Sequence, residues 1–213
     1  MGRDLRGETM KVIVVGASGT IGREVARALE PQHEVVRVGH TRGDFQVDFG
    51  RLESMEALYE SVGPFDALVS AAGQARFAPL ATLTDEDFRF SLGHKLMGQV
   101  HLVRLGMATV RDRGSFTLTS GVLASEPAPG TAAISVVNAG VEAFARAAAL
   151  ELPRGVRINV VSPPWISETL AAMGREPGGG MPAERVAAAY VQCVEGAGTG
   201  EVIDARNTGS LPG

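Results

Sequence analysis

Residues 11–29 read KVIVVGASGTIGREVARAL. KVIVV is a short apolar run rich in β-branched residues, the composition of a strand buried on both faces. GASGTIG follows, with Gly16, Gly19 and Gly22 at intervals of three, and residues 23–29 carry a helix pattern closed by Glu30-Pro31. A turn this tight needs positive φ, which glycine adopts cheaply. Bare of side chains, it lets a diphosphate approach backbone amides, and the helix start behind it offers unpaired N–H groups and a positive dipole end. Ser18 and Thr20 add hydroxyl donors. Gly16, Ser18, Gly19, Thr20, Ile21 and Gly22 are therefore candidate dinucleotide-binding residues. Such a motif is weak alone; its place between the first strand and the first helix is the confirming context. A purely structural strand-to-helix turn is the alternative.

Working outward, the same alternation continues. Strands are predicted over 34–38, 45–48, 66–70, 114–120, 156–161 and 201–204. Helices are predicted over 52–62, 132–150 and 182–194, and a long one from the Thr84 cap to about Arg111, bent near Gly98. Strands that alternate with helices imply right-handed βαβ units. The expected fold is α/β, a doubly wound parallel sheet (Rossmann fold) with helices on both faces, as one domain over 10–213. Residues 1–9 are polar and are read as a disordered lead-in, with Met10 opening the fold and a misassigned start as a further reading. Ligands of such a fold sit at the carboxyl ends of the strands. Residues 174–181 are read as a surface loop, with a hinge or lid as the alternative.

Composition narrows the function. The chain has 213 residues, 45% hydrophobic and 21% charged, with a net charge of −4 from 20 basic and 24 acidic residues. That is globular composition, not that of a disordered chain. The acidic balance disfavours nucleic-acid binding, and 5% aromatics leaves little for base stacking. A single cysteine, Cys193, permits no internal disulfide or thiolate metal cluster. No metal ligation is expected from the four histidines, His33, His40, His94 and His101, whose spacings suit no metal site. No run of about 18 apolar residues marks a membrane span. A reducing, cytoplasmic setting fits.

The turn after the second strand bears on cofactor choice. An Asp or Glu there would hold a ribose 2′-hydroxyl. Instead the chain reads Gly39-His40-Thr41-Arg42-Gly43, with no carboxylate before Asp44. His40, Thr41 and above all the Arg42 fork suit a 2′-phosphate, so NADP(H) is favoured over NAD(H). A solvent-facing arginine is the alternative, in a chain with 18 of them.

With these segments in order, the sequence resembles the short-chain dehydrogenase/reductase family over nearly its whole length from Met10. GASGTIG, Val47-Asp48, Ala71-Ala72-Gly73, Ser120, residues 138–144, Ile158-Asn159-Val160-Val161-Ser162-Pro163 and Thr199-Gly200-Glu201-Val202-Ile203-Asp204 carry the likeness. The resemblance implies a single Rossmann domain that binds NAD(P) and moves hydride between nicotinamide and a carbonyl or alcohol. It implies that Asp48 meets the adenine, that Ala72 and Gly73 line the cofactor, and that backbone near Ile166 meets the carboxamide. It also implies a Ser, Tyr and Lys at the reacting centre, with an Asn upstream.

Here the chain departs from its family. Ser120 matches the Ser. Ile134 stands where the Tyr belongs, and Asn138 where the Lys belongs. The upstream Asn position holds Lys95, one of two lysines in the chain. Asn and Lys are thus exchanged between two positions that face one another in the family. Lys95 is expected to enter the cleft beside Ser120 and Asn138, where desolvation would lower its pKa toward acid/base work; an exposed helix lysine is the alternative. His94, about 100° away around a helix, is read as a packing or surface residue. Pro164 replaces a usual glycine and stiffens the loop. Residues 166–181 are too short for a large substrate lid.

Three functions follow. The first is an NADP(H)-dependent oxidoreductase on an unidentified small carbonyl or alcohol, with Ser120, Lys95 and Asn138 at its centre. The second is a non-catalytic dinucleotide-binding sensor or regulatory protein, since the proton-transfer residue is missing. The third is an isomerase or lyase on the same fold. A homodimer or homotetramer through residues 102–110 and 143–150 is expected, although these could equally be sheet-facing core positions.

Overall fold

A computed structural model describes residues 9–209; the lead-in expectation for 1–9 therefore lies outside the described residues, save for Thr9. Strand β1 (Lys11–Val15) runs into helix α1 (Thr20–Leu29), then β2 (Glu34–Gly39), β3 (Phe45–Gln46), α2 (Leu52–Val62) and β4 (Phe65–Ser70). Next come α3 (Asp85–Ser91), a π-helical segment over Leu92–Met97, α4 (Gly98–Gly106) and β5 (Val110–Thr119). The chain continues through α5 (Ala132–Ala148), β6 (Arg157–Ser162), α6 (Ser167–Ala172), α7 (Ala183–Glu195) and β7 (Val202–Asp204). The strands form one seven-stranded sheet in the order β3-β2-β1-β4-β5-β6-β7, all neighbours parallel. This is the doubly wound architecture, with strand order reversing between β1 and β4.

Alternation along β1 shows why both faces are covered. Ile13 and Val15 belong to a core with Met55, Leu58 and Tyr59 of α2, Leu102 of α4 and Val141 of α5. Val12 and Val14 belong to the opposite core, with Val25 and Leu29 of α1 and Val186 and Tyr190 of α7. Successive strand side chains point to opposite faces, so a continuous β-branched run fills both layers. At roughly 1.5–3 kcal/mol per fully buried large apolar side chain, these two cores outweigh any single polar contact in the fold.

Two boundaries differ most from the sequence-based expectation, while β3 ends at Gln46 and not at 48, and α1 begins at Thr20 and not at 23. The long helix ends at Gly106, not near Arg111, and β5 begins at Val110. Val110 pairs with Phe65, but the register then shifts before Ser115 pairs with Ala67. Residues 111–114 bulge out between them, with Arg113 at φ 61° and the Arg111 guanidinium on Asp66 at 2.7 Å. Near Gly98 the expected bend takes the form of the π-helical turn just before it. Phe49 fills the groove at Gly98, where a Cβ would lie 2.5 Å from its ring. Of the helix positions weighed for assembly, Leu102 and Val103 are buried against the sheet, whereas Ala143 and Leu150 are exposed.

No helix among the described residues is long and apolar enough to cross a membrane. No group of three or more His, Cys, Asp or Glu among them is placed to hold a metal ion.

Candidate functional site

The glycine turn stands at the carboxyl end of β1. Gly16 has φ +86°, and a Cβ there would lie 2.7 Å from the Ala71 carbonyl oxygen at the end of β4. Gly22 is buried, and a Cβ on it would fall 2.1 Å from the Gly16 oxygen. Gly22 therefore serves the close approach of α1 to the turn and does not face the cleft. Gly19 caps α1 with no side-chain hydrogen bond, and the first turn of the helix holds no acidic residue. Its N–H groups and dipole end remain available to an anion.

In front of this turn lies a cleft of about 370 Å³, lined by Gly16, Ser18, Gly19, His40, Asp48, Ala72, Gly73 and His94 among others. Thr20, Ile21, Thr41 and Arg42 are not among its lining residues. Ile21 packs against the core beneath α1 and α7. His40 and Arg42 are exposed on the turn after β2. Asp44 closes that turn, its carboxylate accepting the Arg37 N–H at 2.8 Å. Asp48 holds its own turn through Oδ1, which accepts the Gly50 N–H at 2.8 Å. His94 packs its ring on Phe90, centroids 4.5 Å apart, and also reaches this cleft. It is thus a packing residue that borders the cofactor side.

A second cleft of about 440 Å³ adjoins the first, and Gly73 and Gln74 line both. Lys95, Ser120, Ile134, Asn138 and Ile166 all line it. His94 and Lys95, consecutive in the π-helical turn and so pointing in different directions, line the first and the second cleft respectively. Such turns concentrate at functional positions. Gly73, at φ +121°, leaves room for the lysine stem, since a Cβ there would lie 3.1 Å from Lys95 Cα and Cγ.

Lys95 is 8% exposed, and its ammonium donates to the Ser120 carbonyl oxygen at 3.3 Å. Burial pushes its pKa down to about 8. Asn138 donates through Nδ2 to the next carbonyl, that of Gly121, at 3.4 Å. Its buried Oδ1 has no hydrogen-bond partner among the described residues, so an acceptor stands unused at the cleft. The Ser120 hydroxyl donates to Glu142 Oε1 at 3.0 Å. Glu142 is absent from the sequence-based candidates. Its signal was available, since it follows Asn138 by four residues and so shares a face of α5.

Neither tyrosine of the chain reaches the clefts. The Tyr59 hydroxyl donates to the Leu102 carbonyl oxygen, and Tyr190 is fully buried against Thr119. Ile134 packs with Leu123, Val137 and Trp165 on the second cleft's wall. Ile166 precedes α6 and lines the second cleft, not the first. The loop that follows is short and tied at its base, where Met181 N–H donates to the Trp165 carbonyl and Ser167 N–H to that of Met181. Ile158, Asn159 and their neighbours set β6, while Pro163, Pro164 and Trp165 carry the chain over the cleft.

Comparison with known proteins places this geometry among relatives. The family described as enoyl-(acyl carrier protein) reductase matches residues 2–195. A crystal structure of a Listeria innocua protein is 42% identical, with a TM-score of 0.89 over 92% of this chain and 99% of that one. A small-chain dehydrogenase in complex with NADPH is 26% identical, with a TM-score of 0.82 over 92% of this chain and 96% of that one. A short-chain dehydrogenase/reductase of Stachybotrys chlorohalonatus is 31% identical over 94% of this chain and 87% of its own. The chain spans 59% of the length of another relative, the hydroxynaphthalene reductase of Aspergillus fumigatus, at 26% identity.

Proposed function

The chain belongs to the short-chain dehydrogenase/reductase family, and from that premise we propose that it is an oxidoreductase that binds NADP(H) and acts on a small carbonyl or alcohol through a rearranged centre. One observation carries the reading: the cleft before the glycine turn continues, across Gly73 and Gln74, into the cleft that holds Lys95, Ser120 and Asn138. A dinucleotide laid along the first would end at the second.

The residues present fit such a cofactor. The uncapped start of α1 and the side-chain-free turn suit a diphosphate. Asp48 borders the first cleft where an adenosine would lie. His40 and Arg42, exposed on the turn after β2, suit a 2′-phosphate; the NADPH complex of the 26% identical relative supports binding of a nicotinamide dinucleotide in this fold. Ala72 and Gly73 would flank the cofactor's middle, and Ile166 its nicotinamide end.

When bound, the reduced nicotinamide supplies hydride to the carbonyl carbon. The chain's own task is the proton for the carbonyl oxygen. Ile134 cannot carry it. The Lys95 ammonium, with hydrogens free beyond its bond to Ser120, is the donor this reading assigns, with water as the substitute. Asn138 Oδ1 offers an acceptor beside it, and Ser120 orients the carbonyl once its hydroxyl leaves Glu142. Positioning alone supplies much of such a rate, and general acid assistance adds roughly 10²–10⁴-fold.

Trp165 on the second cleft provides the test. Titration with NADPH and with NADH is expected to quench its emission saturably, more tightly with NADPH. Absence of saturable quenching by either, checked by calorimetry, removes the oxidoreductase reading. A second reading, a dinucleotide-binding sensor without turnover, is favoured by the absence of any tyrosine from the cleft lining. Tight NADPH binding with no oxidation across a carbonyl panel would select it.

A further inference from the structure

The second cleft carries a charge and a shape that narrow its substrate. Its charged lining residues are Arg76 and Lys95, both cationic, in a chain whose net charge is −4. Lys95 lies deep beside Ser120, whereas Arg76 is half-exposed at the rim. The rim is also aromatic. Phe77 and Trp165 pack at 5.9 Å between centroids, and the Arg76 guanidinium lies 4.0 Å over the Phe90 ring. Phe77 is 47% exposed and lines the cleft mouth, where its ring can take an apolar body.

Arg76 is held in place without being consumed. Its backbone N–H donates to Ser91 Oγ at 3.0 Å. Asp87 is the nearby carboxylate, but it lies 3.7 Å from the Arg76 Nε, beyond a good hydrogen bond. Asp87 Oδ2 accepts from the Thr84 N–H at 3.0 Å and hydroxyl at 2.8 Å, the capping box of α3, while its Oδ1 faces Arg76, so a bound carboxylate would displace a loose ion pair at the rim. A second cation, Arg175, lies 5.2 Å over the Trp165 ring. A guanidinium fork stacked on a ring, paired loosely with Asp87 at 3.7 Å and with no guanidinium hydrogen bond among the described residues, is suited to a planar carboxylate.

We infer that the second cleft takes an oxo acid with a flat apolar body, its carboxylate on Arg76, its ring or chain against Phe77, Phe90 and Trp165, and its carbonyl directed toward Ser120 and Lys95. The substrate assignment rests on the reductase reading above; the carboxylate site itself does not. A volume of about 440 Å³ is within the range of small-ligand pockets and accommodates an aryl oxo acid.

The test compares phenylacetate with phenylacetamide, alike in shape and unlike in charge, by calorimetry and Trp165 emission. Both are titrated into the protein with and without saturating NADPH. Phenylacetate is expected to bind at least tenfold tighter, and Arg76→Gln to abolish the difference. Arg89→Gln, on the exposed face of α3 and outside the cleft, should leave it unchanged. With NADPH, phenylpyruvate should show a KM at least tenfold below that of 1-phenylpropan-2-one, again only while Arg76 is present. Equal binding of the two ligands, no binding of either, or a preference that survives Arg76→Gln would overturn the inference. Failure of NADPH to bind, with the phenylacetate preference and its loss in Arg76→Gln intact, would uphold the carboxylate site while removing the reductase.

Discussion

The ammonium of Lys95 donates to the backbone carbonyl of Ser120 at 3.3 Å from a position only 8% exposed. A cation so placed is held in part by a neutral dipole, and burial lowers its pKa from 10.5 to about 8. The unfolded lysine keeps its proton up to its ordinary value, whereas the folded one loses it near 8. Between those values the unfolded state binds more protons, so stability rises with pH. The full difference is on the order of 3 kcal/mol at ~1.4 kcal/mol per pKa unit. Lys95→Met should therefore be more stable than the wild type at pH 7, with the gap closing above pH 8. Urea midpoints at pH 7 and pH 9.5 measure it; a wild type at least as stable as the variant at pH 7 would show that water reaches the ammonium.

The same substitution separates chemistry from binding. If Lys95 donates the proton, carbonyl reduction should fall as pH rises through about 8, and Lys95→Met should lose roughly 10²–10⁴ in turnover. The NADPH quenching curve should not move. A variant with full turnover and a flat pH profile would pass the proton role to water.

Ser120 and Glu142 form a pair whose separation the substrate must cause. The Ser120 hydroxyl donates to Glu142 Oε1 at 3.0 Å, so it must turn to reach a carbonyl. Removing the acceptor in Glu142→Ala should raise kcat/KM a few-fold, whereas Ser120→Ala should lower it roughly 10²-fold, the size of one lost hydrogen bond to developing charge. The double variant should match Ser120→Ala alone, because the other partner of Glu142, the exposed Arg146 at 3.3 Å, lies outside the cleft lining. Additive losses would give Glu142 a part of its own.

How much of this was legible depends on periodicity. β1, the glycine turn and α1 were readable because an apolar run, three spaced glycines and a helix pattern follow in sequence. The Lys95–Ser120 juxtaposition was expected only through the family resemblance, since nothing local to HKLMG points across a sheet. The π-helical turn was invisible, because no residue preference marks an i→i+5 bond; Gly98 hinted only at a bend. The bulge at 111–114 was missed because Val110 looks like the end of a helix until Phe65 is beside it. Arg76 and Phe77 escaped notice for a related reason: the loop after β4 has no period, and only folding brings it against Trp165 and against Phe90 of α3.

Gly22 and Gly19 should fail differently. A Cβ at Gly22 would sit 2.1 Å from the Gly16 carbonyl oxygen, a backbone atom that cannot rotate aside. Gly22→Ala should therefore push α1 off the turn and cost about 1–3 kcal/mol, the range for overpacking. At Gly19 the nearest atom is the same oxygen at 3.2 Å, and the residue lines the cleft. Gly19→Ala should cost only about 0.5–1 kcal/mol, as a poorer helix cap, and weaken NADPH binding at least tenfold. Equal midpoints for the two variants would contradict the packing role of Gly22.

Arg42 decides cofactor choice if anything on the turn does. It is exposed on the same turn as His40, and the carboxylate that closes that turn, Asp44, accepts from the Arg37 N–H. A guanidinium there can fork onto a 2′-phosphate but gains nothing from a 2′-hydroxyl. Arg42→Glu should weaken NADPH binding about 10–100-fold and leave NADH binding within a few-fold. Because the contact is exposed, the wild-type preference for NADPH should shrink as salt rises from 50 to 500 mM, where the screening length falls below 10 Å. The variant should show no such salt dependence. Equal affinity for NADPH and NADH in the wild type would make Arg42 a solvent-facing turn residue, and the preference for the phosphorylated cofactor would fall with it.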